Sequence, residues 1–196
     1  MFGIRKKIMP VYTYGAPVLK AIAAPVEKIT PEIRELADRM IDTMFAFDGI
    51  GLAAPQVGVS KRIVALALPG QLPADYEPSP AEELLLPMMP MVIINPQIIS
   101  YGKDKYISDE GCLSVPDIYA PVERPRTIVF QTEIIDYGIV TVEAGGLLAR
   151  CIQHEMDHLN GTLFVEKVAP EAYTKIDARV RTLIARGAQN NYQRRK

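Results

Sequence analysis

The chain has 196 residues, 48% of them hydrophobic and 23% charged, and a formal net charge of −1. That length suits a single globular domain with a real core, and near-neutrality excludes a global attraction to nucleic acid or to an anionic membrane. No run approaches the roughly eighteen apolar residues of a membrane helix, and no apolar stretch follows the basic N-terminal residues as a signal peptide requires.

Basic residues gather at the two ends, in Arg5-Lys6-Lys7 and Arg194-Arg195-Lys196, where they read as solvated termini. Two cysteines and no export signal suggest reduced thiols, with a Cys112–Cys151 disulfide as the alternative. Pro10, Pro17 and Pro25 break any long element before residue 30. Thr30-Pro31-Glu32 then starts a helix, with a capping hydroxyl, proline in the first turn and an acid behind it. Ile33, Leu36, Ala37, Met40, Ile41, Met44 and Phe45 follow at spacings that place them on one core-facing stripe.

Gly49-Ile50-Gly51-Leu52-Ala53-Ala54 matches the dinucleotide fingerprint as letters. That fingerprint needs a strand before it and a helix after it. Here a helix precedes, Pro55 follows, and Arg62 to Leu68 reads as a strand, so the glycines are better read as letting main chain approach something closely. Residues 69–90 hold six prolines and read as a long insertion loop. Met91 to Ile99 reads as a strand interrupted at Asn95-Pro96, and Thr127 to Ile135 pairs with Ile139 to Val142 about Asp136-Tyr137-Gly138. A helix over Leu147 to Leu159 stops at Asn160-Gly161, and a last helix runs from Pro170 to Ala185. Strands and helices do not alternate in βαβ fashion, so the expected class is α+β: antiparallel sheets packed around a central helix, that of Leu147 to Leu159, with an N-terminal and a C-terminal helix. The whole of 1–196 is expected to be one domain, with residues 69–90 as an insertion loop and 188–196 as a basic tail.

Both histidines of the chain fall in His154-Glu155-Met156-Asp157-His158. Four residues apart on a helix, they lie about 40° apart on one face, where they can share one ion while Glu155 handles protons for an activated water. A catalytic site of this kind usually has three protein ligands. Cys151 lies on the same face but about 10 Å along the axis from His158, which suits a pocket wall better than a ligand. Cys112, in Glu110-Gly111-Cys112-Leu113-Ser114, sits in an extended or turning segment that could present a thiolate; a carboxylate elsewhere is the competing third ligand.

Three segments taken together resemble the peptide deformylase family: Gly49 to Gln56, Glu110 to Ser114, and His154 to His158. The similarity runs from about residue 10 to residue 168, and the final helix resembles the bacterial type with a C-terminal helix. The resemblance implies removal of the N-formyl group from the first methionine of new polypeptides. It implies Cys112, His154 and His158 as ligands of one divalent metal, Fe²⁺ first, with Zn²⁺, Ni²⁺ or Co²⁺ accepted. Glu155 would be base and then acid. The Gln56 amide and the Leu113 main-chain N–H would meet the oxyanion. Ile50 and Gly51 would pair with substrate backbone, with Ile50, Leu147 and Cys151 lining the methionine pocket and Glu110 standing behind the ligands, paired with Arg124. N-formylmethionyl peptides and nascent chains are the implied partners, with ribosome contact through Arg186 to Lys196, no membrane and no sequence-specific nucleic acid. The implied compartment is the bacterial cytoplasm, with an organelle as the alternative.

The sequence departs from the family pattern in places. Tyr119 stands where the family often has a substrate-holding arginine, Val122-Glu123-Arg124 replaces a common Val-Pro-Arg, residues 69–90 are longer than usual, and Arg150 occupies a place near the pocket that is often apolar. Two other readings compete: a peptide-bond metalloprotease, resting on H-E-x-x-H alone, and a metal-binding interaction protein without turnover.

Overall fold

The computed structural model describes residues 8–69 and 77–188, and the main chain of 191–192. Strand β1 (Val11–Tyr12) opens the chain and helix α1 (Pro31–Ala46) follows. Next come β2 (Gly51–Ala53), β3 (Ile63–Leu66), α2 (Pro80–Leu85) and β4 (Met91–Tyr101). Strands β5 (Lys105–Cys112), β6 (Val115–Pro125), β7 (Ile128–Ile134) and β8 (Gly138–Ala144) lead into α3 (Gly146–Leu159). Helices α4 (Pro170–Tyr173) and α5 (Asp177–Gly187) and a short β9 (Asn191–Tyr192) complete it. Every strand pair among these is antiparallel, so the class is α+β. None of the described helices is long and apolar enough to cross a membrane.

The main sheet has the order β2-β3-β4-β7-β8, and it is covered on both faces. Strand β3 shows why: all four of its residues are buried, which period-2 geometry permits only if each face meets apolar cover. Ile63 and Ala65 face α1, packing with Met40, Met44 and Leu52. Val64 and Leu66 face α3, packing with Phe130, Leu148, Ile152 and Leu159. A third cluster, with Val115, Ile118, Val122, Phe164 and Val180, joins the β5–β6 hairpin to the C-terminal elements. Helix α3 is therefore central, with eleven of its fourteen residues buried.

Several local expectations are revised. Helix α1 starts at Pro31, but Thr30 makes no side-chain capping bond, and Phe45 is exposed instead of joining the core stripe. The 69–90 segment is not all loop. Pro80 takes the first turn of α2, where its missing N–H costs nothing, and residues 70–76 lie outside the described residues. Ser79 accepts a hydrogen bond from the Gly145 N–H and donates to Glu82, which ties this segment to the start of α3. The strand at Asn95-Pro96 is not interrupted; it shifts register there and continues as β4. The last helix is two pieces, α4 and α5, parted at residues 174–176. Gly161, at φ 72°, takes the left-handed position that stops the chain from extending α3. The hairpin of residues 105–125 was not anticipated at all. The basic stretches Arg5-Lys6-Lys7 and Arg194-Arg195-Lys196 lie outside the described residues.

Asn95 carries the register shift at φ 50°. Its side chain accepts from the Val26 N–H and donates to the Val26 carbonyl, both at 2.8 Å. Asn95→Ala would remove both bonds and leave a Cβ-bearing residue in the left-handed region. Urea denaturation of that variant should show a loss of about 2–3 kcal/mol.

Candidate metal centre and active site

The site is assembled where the β5–β6 hairpin meets α3. Cys112 and Val115 are paired across the hairpin, so Leu113 and Ser114 form a two-residue turn and Cys112 stands at its entrance. The register shift between the Glu110 and Cys112 pairings is taken up by extra residues on β6, while β5 itself keeps a strict alternation of exposed and inward positions. Two residues apart on that strand, Glu110, 5% exposed, and Cys112, partly buried, therefore share the inward face. Across from the turn, His154 and His158 lie one above the other on α3, with ring centroids 5.2 Å apart.

The ligand atoms of Cys112, His154 and His158 lie within 4.8 Å of one another. The Cys112 Sγ is 3.1 Å from the His158 Nε2. Both cysteines are free, which removes the disulfide alternative. One sulfur and two imidazole nitrogens, converging in a buried place, form a donor set that suits a divalent transition metal. The orientation of His154 supports this. Its Nδ1 lies 2.9 Å from the Glu110 Oε2, which leaves Nε2 for a ligand, as in metal sites where a carboxylate fixes the imidazole tautomer.

Glu110 is the centre of a buried charge group. Its carboxylate accepts from Arg124 Nε at 2.6 Å, Arg124 Nη2 at 2.8 Å and Arg150 Nη1 at 2.6 Å. Arg124 also donates to Asp157 at 2.9 Å. Burial alone would push the Glu110 carboxyl up, but hydrogen bonds from Arg124 and His154 outweigh it and hold it at about 2. Arg150, noted in the sequence as a departure beside the pocket, is consumed here. Besides Glu110 it bonds the carbonyls of Val122 and Tyr106, and its guanidinium lies 4.2 Å from the centre of the Tyr106 ring. The sequence reading missed Asp157, Tyr106 and Ser114. Asp157 and Arg150 could have been found from helical spacing, since they sit three after and four before His154.

A cleft of about 520 Å³ opens onto this centre. Ile50, Gly51, Gln56, Leu113, Leu147, Cys151, Glu155 and Tyr119 all line it, so every residue expected at the site borders one space or the metal cluster. Gln56, 1% exposed, comes from the turn after β2. Ile50, Leu147 and Tyr119 are exposed at the mouth, and the Tyr119 ring lies against Gly111. Cys151 is buried on the wall, and burial pushes its thiol well up. Gly51 admits no side chain. A Cβ there would strike the Glu155 carboxylate and come 2.8 Å from the Cys151 sulfur.

Glu155 is 4% exposed, and its Oε2 has no hydrogen-bond partner among the described residues. Burial raises its carboxyl to about 7. A carboxylate so placed can take and return a proton near neutrality.

The family model described as Polypeptide deformylase matches residues 8–173. Peptide deformylase 2 of Gloeobacter violaceus is 44% identical over 165 residues, 84% of this chain and 81% of that protein. A crystal structure of a peptide deformylase from Synechococcus elongatus, in complex with actinonin, superimposes with a TM-score of 0.74 at 37% identity, covering 90% of this chain and 89% of that one. A Met-Ala-Ser-bound class I type b peptide deformylase from Acinetobacter baumannii gives 0.70 at 36% identity, covering 84% of this chain and 100% of the other.

Glu110→Gln tests the charge group. It leaves Arg150 without its acidic partner and Arg124 with Asp157 alone, so thermal or urea unfolding should show a loss of about 3–5 kcal/mol. Metal affinity, read by competition with a chelator, should fall about 10–100-fold. The parent chain should also be acid-sensitive. Because Glu110 is held below its ordinary 4.5, its stabilisation is complete above that pH and drains away as pH falls towards about 2.

Proposed function

The chain belongs to the polypeptide deformylase family, and on that premise we propose how its residues divide the work. The activity is hydrolysis of the formyl amide on the N-terminal methionine of newly made polypeptides, releasing formate. The observation that carries the assignment of roles is the convergence of Cys112, His154 and His158 beside the unpartnered carboxylate oxygen of Glu155.

Cys112, His154 and His158 hold one divalent ion, Fe²⁺ by preference over Zn²⁺, Ni²⁺ or Co²⁺. When bound, the ion supplies Lewis acidity that polarises the formyl oxygen and acidifies water. Glu155 removes a proton from the attacking water as its oxygen bonds to the formyl carbon. The oxyanion that forms is met by an N–H of the Gln56 amide and by the Leu113 main-chain N–H. Glu155 then gives its proton to the amide nitrogen as the carbon–nitrogen bond breaks. Formate and a free methionyl amine leave, and the carboxylate is restored.

The cleft supports the binding roles. Strand β2 is at one end of the main sheet, so an extended substrate can lie along its open side and pair with Ile50 and Gly51. The methionine side chain then packs against Ile50, Leu147 and Cys151, and the residues after it pass Tyr119 at the mouth. Tyr119 thus offers a ring face where relatives often offer an arginine. We place the activity in the cytoplasm, on nascent chains in a single catalytic domain. The proposed ribosome contact involves Arg186 to Lys196, most of which lies outside the described residues.

Glu155→Ala should lower formate release from a formyl-Met peptide by about 10²–10⁴-fold while metal analysis shows the ion retained. Gln56→Ala should lower kcat about 10²–10³-fold. Undiminished activity in either variant removes that residue from its role, and cleavage of unformylated peptides would favour a protease instead. Iron as the native ion predicts activity that decays in air and persists under anaerobic handling, because Fe²⁺ beside a thiolate is oxidised.

A further inference from the structure

Ser114 has no part in the chemistry described so far, yet its position is unusual. It is fully buried in the hairpin turn, two residues after Cys112. Its hydroxyl oxygen accepts a hydrogen bond from the Gln56 Nε2 at 3.2 Å. The other end of the same amide is also held, since the Gln56 Oε1 accepts from the Ala53 N–H at 2.8 Å. These two contacts settle which way the amide faces. Turned over, its NH₂ would confront the Ala53 N–H, donor against donor, and would forfeit that bond.

An amide NH₂ has two hydrogens. One is spent on Ser114, and the planar group then fixes where the second goes. The Nε2 also donates to the Cys112 sulfur at 3.5 Å, so the second N–H points to the thiolate side of the metal cluster, and it exchanges that long sulfur contact for the reacting oxygen when the oxygen arrives. Ser114 is itself anchored. Its carbonyl accepts from the Tyr14 N–H at 2.8 Å, and its own N–H points at the Cys112 sulfur at 3.4 Å. One residue of a tight turn thereby sets both the thiolate ligand and the amide on the opposite wall of the cleft.

We propose that Ser114 is a positioning residue for deformylation: its hydroxyl locks the Gln56 side chain in the orientation that presents an N–H to the oxyanion. This rests on the role given to Gln56 above. Ser114 acts through Gln56 alone in this respect, because its main-chain bond to the Cys112 sulfur does not depend on the hydroxyl. Removing the hydroxyl should therefore impair turnover and spare metal binding.

The test is a double-mutant cycle on the metal-loaded full chain with a formyl-Met peptide, comparing Ser114→Ala, Gln56→Ala and both together. Ser114→Ala alone should lower kcat about five- to tenfold, with KM and metal content held. Added to Gln56→Ala, it should change kcat by less than about twofold, since the group it orients is gone. A second readout needs no turnover. In the zinc-loaded protein, the Gln56 side-chain NH₂ should show two well-separated proton resonances, one of them slow to exchange, and Ser114→Ala should merge or unprotect them. Ser114→Thr and Ser114→Val, equal in shape and differing in the hydroxyl, repeat the comparison if the alanine variant does not fold. An additive cycle, an unchanged Gln56 NH₂ spectrum, or equal kcat for the threonine and valine variants overturns the lock while deformylation by the parent stands. A parent that releases no formate overturns the deformylase reading, and the lock with it.

Discussion

Everything in this site depends on the buried carboxylate of Glu110. A carboxylate in a core is costly unless its lone pairs are filled and its charge is answered. Here two guanidiniums and an imidazole answer it, one drawn from the other strand of the hairpin and two from α3. The group works as a spacer of fixed size. The hairpin cannot slide along the helix without exposing one of these charges to a partnerless interior. Cys112, two residues beyond Glu110, is therefore delivered to the same place against His158. The imidazole that Glu110 holds is itself one of the candidate ligands, so the structural bond and the functional one share a side chain.

The cleft wall opposite is built by different means. Strand β2 and the turn that follows it hold Gln56 by a main-chain bond from Ala53, and they hold Gly51 against the Glu155 carboxylate. No salt bridge is involved there. Contact is made by main chain approaching the Glu155 carboxylate and the Cys151 sulfur. The glycines of that segment, which fit no nucleotide-binding pattern, are explained by this closeness. The proline-rich segment contributes from a distance, because Ser79 accepts from the N–H of Gly145, the residue that leads into the helix carrying both histidines.

How much of this could be read from residues alone follows from how local each signal is. The helix from Leu147 to Leu159 was legible because its histidines and apolar residues keep a 3.6-residue period. The sheet faces of β3, β7 and β8 were legible as apolar or alternating runs. The β5–β6 hairpin was not, for three physical reasons. Its inward positions include Glu110 and Arg124, which look like surface residues until their partners are known. Pro116, Pro121 and Pro125 suggest loops. The start of β6 also breaks the alternation a strand should show, since Val115 and Ile118 are both buried with two residues between them. Arg150 was read as an oddity for the same reason: a single buried charge makes sense only with the carboxylate forty residues away. Asn95 looked like an interruption because the sequence cannot show that its side chain replaces the lost ladder by bonding Val26.

The missing side chain at Gly51 sets a limit on how the cleft can change over time. Any larger residue there meets the Glu155 carboxylate and the Cys151 sulfur at once, so a substitution at that point must displace two buried side chains of the cleft wall. The mouth is different: Ile50, Leu147 and Tyr119 are exposed, and their side chains can be exchanged without disturbing buried neighbours. An inhibitor that takes its hold from the main chain of Gly51 would thus lean on a position costly to change. One that relies on Tyr119 would lean on the part of the wall most open to drift.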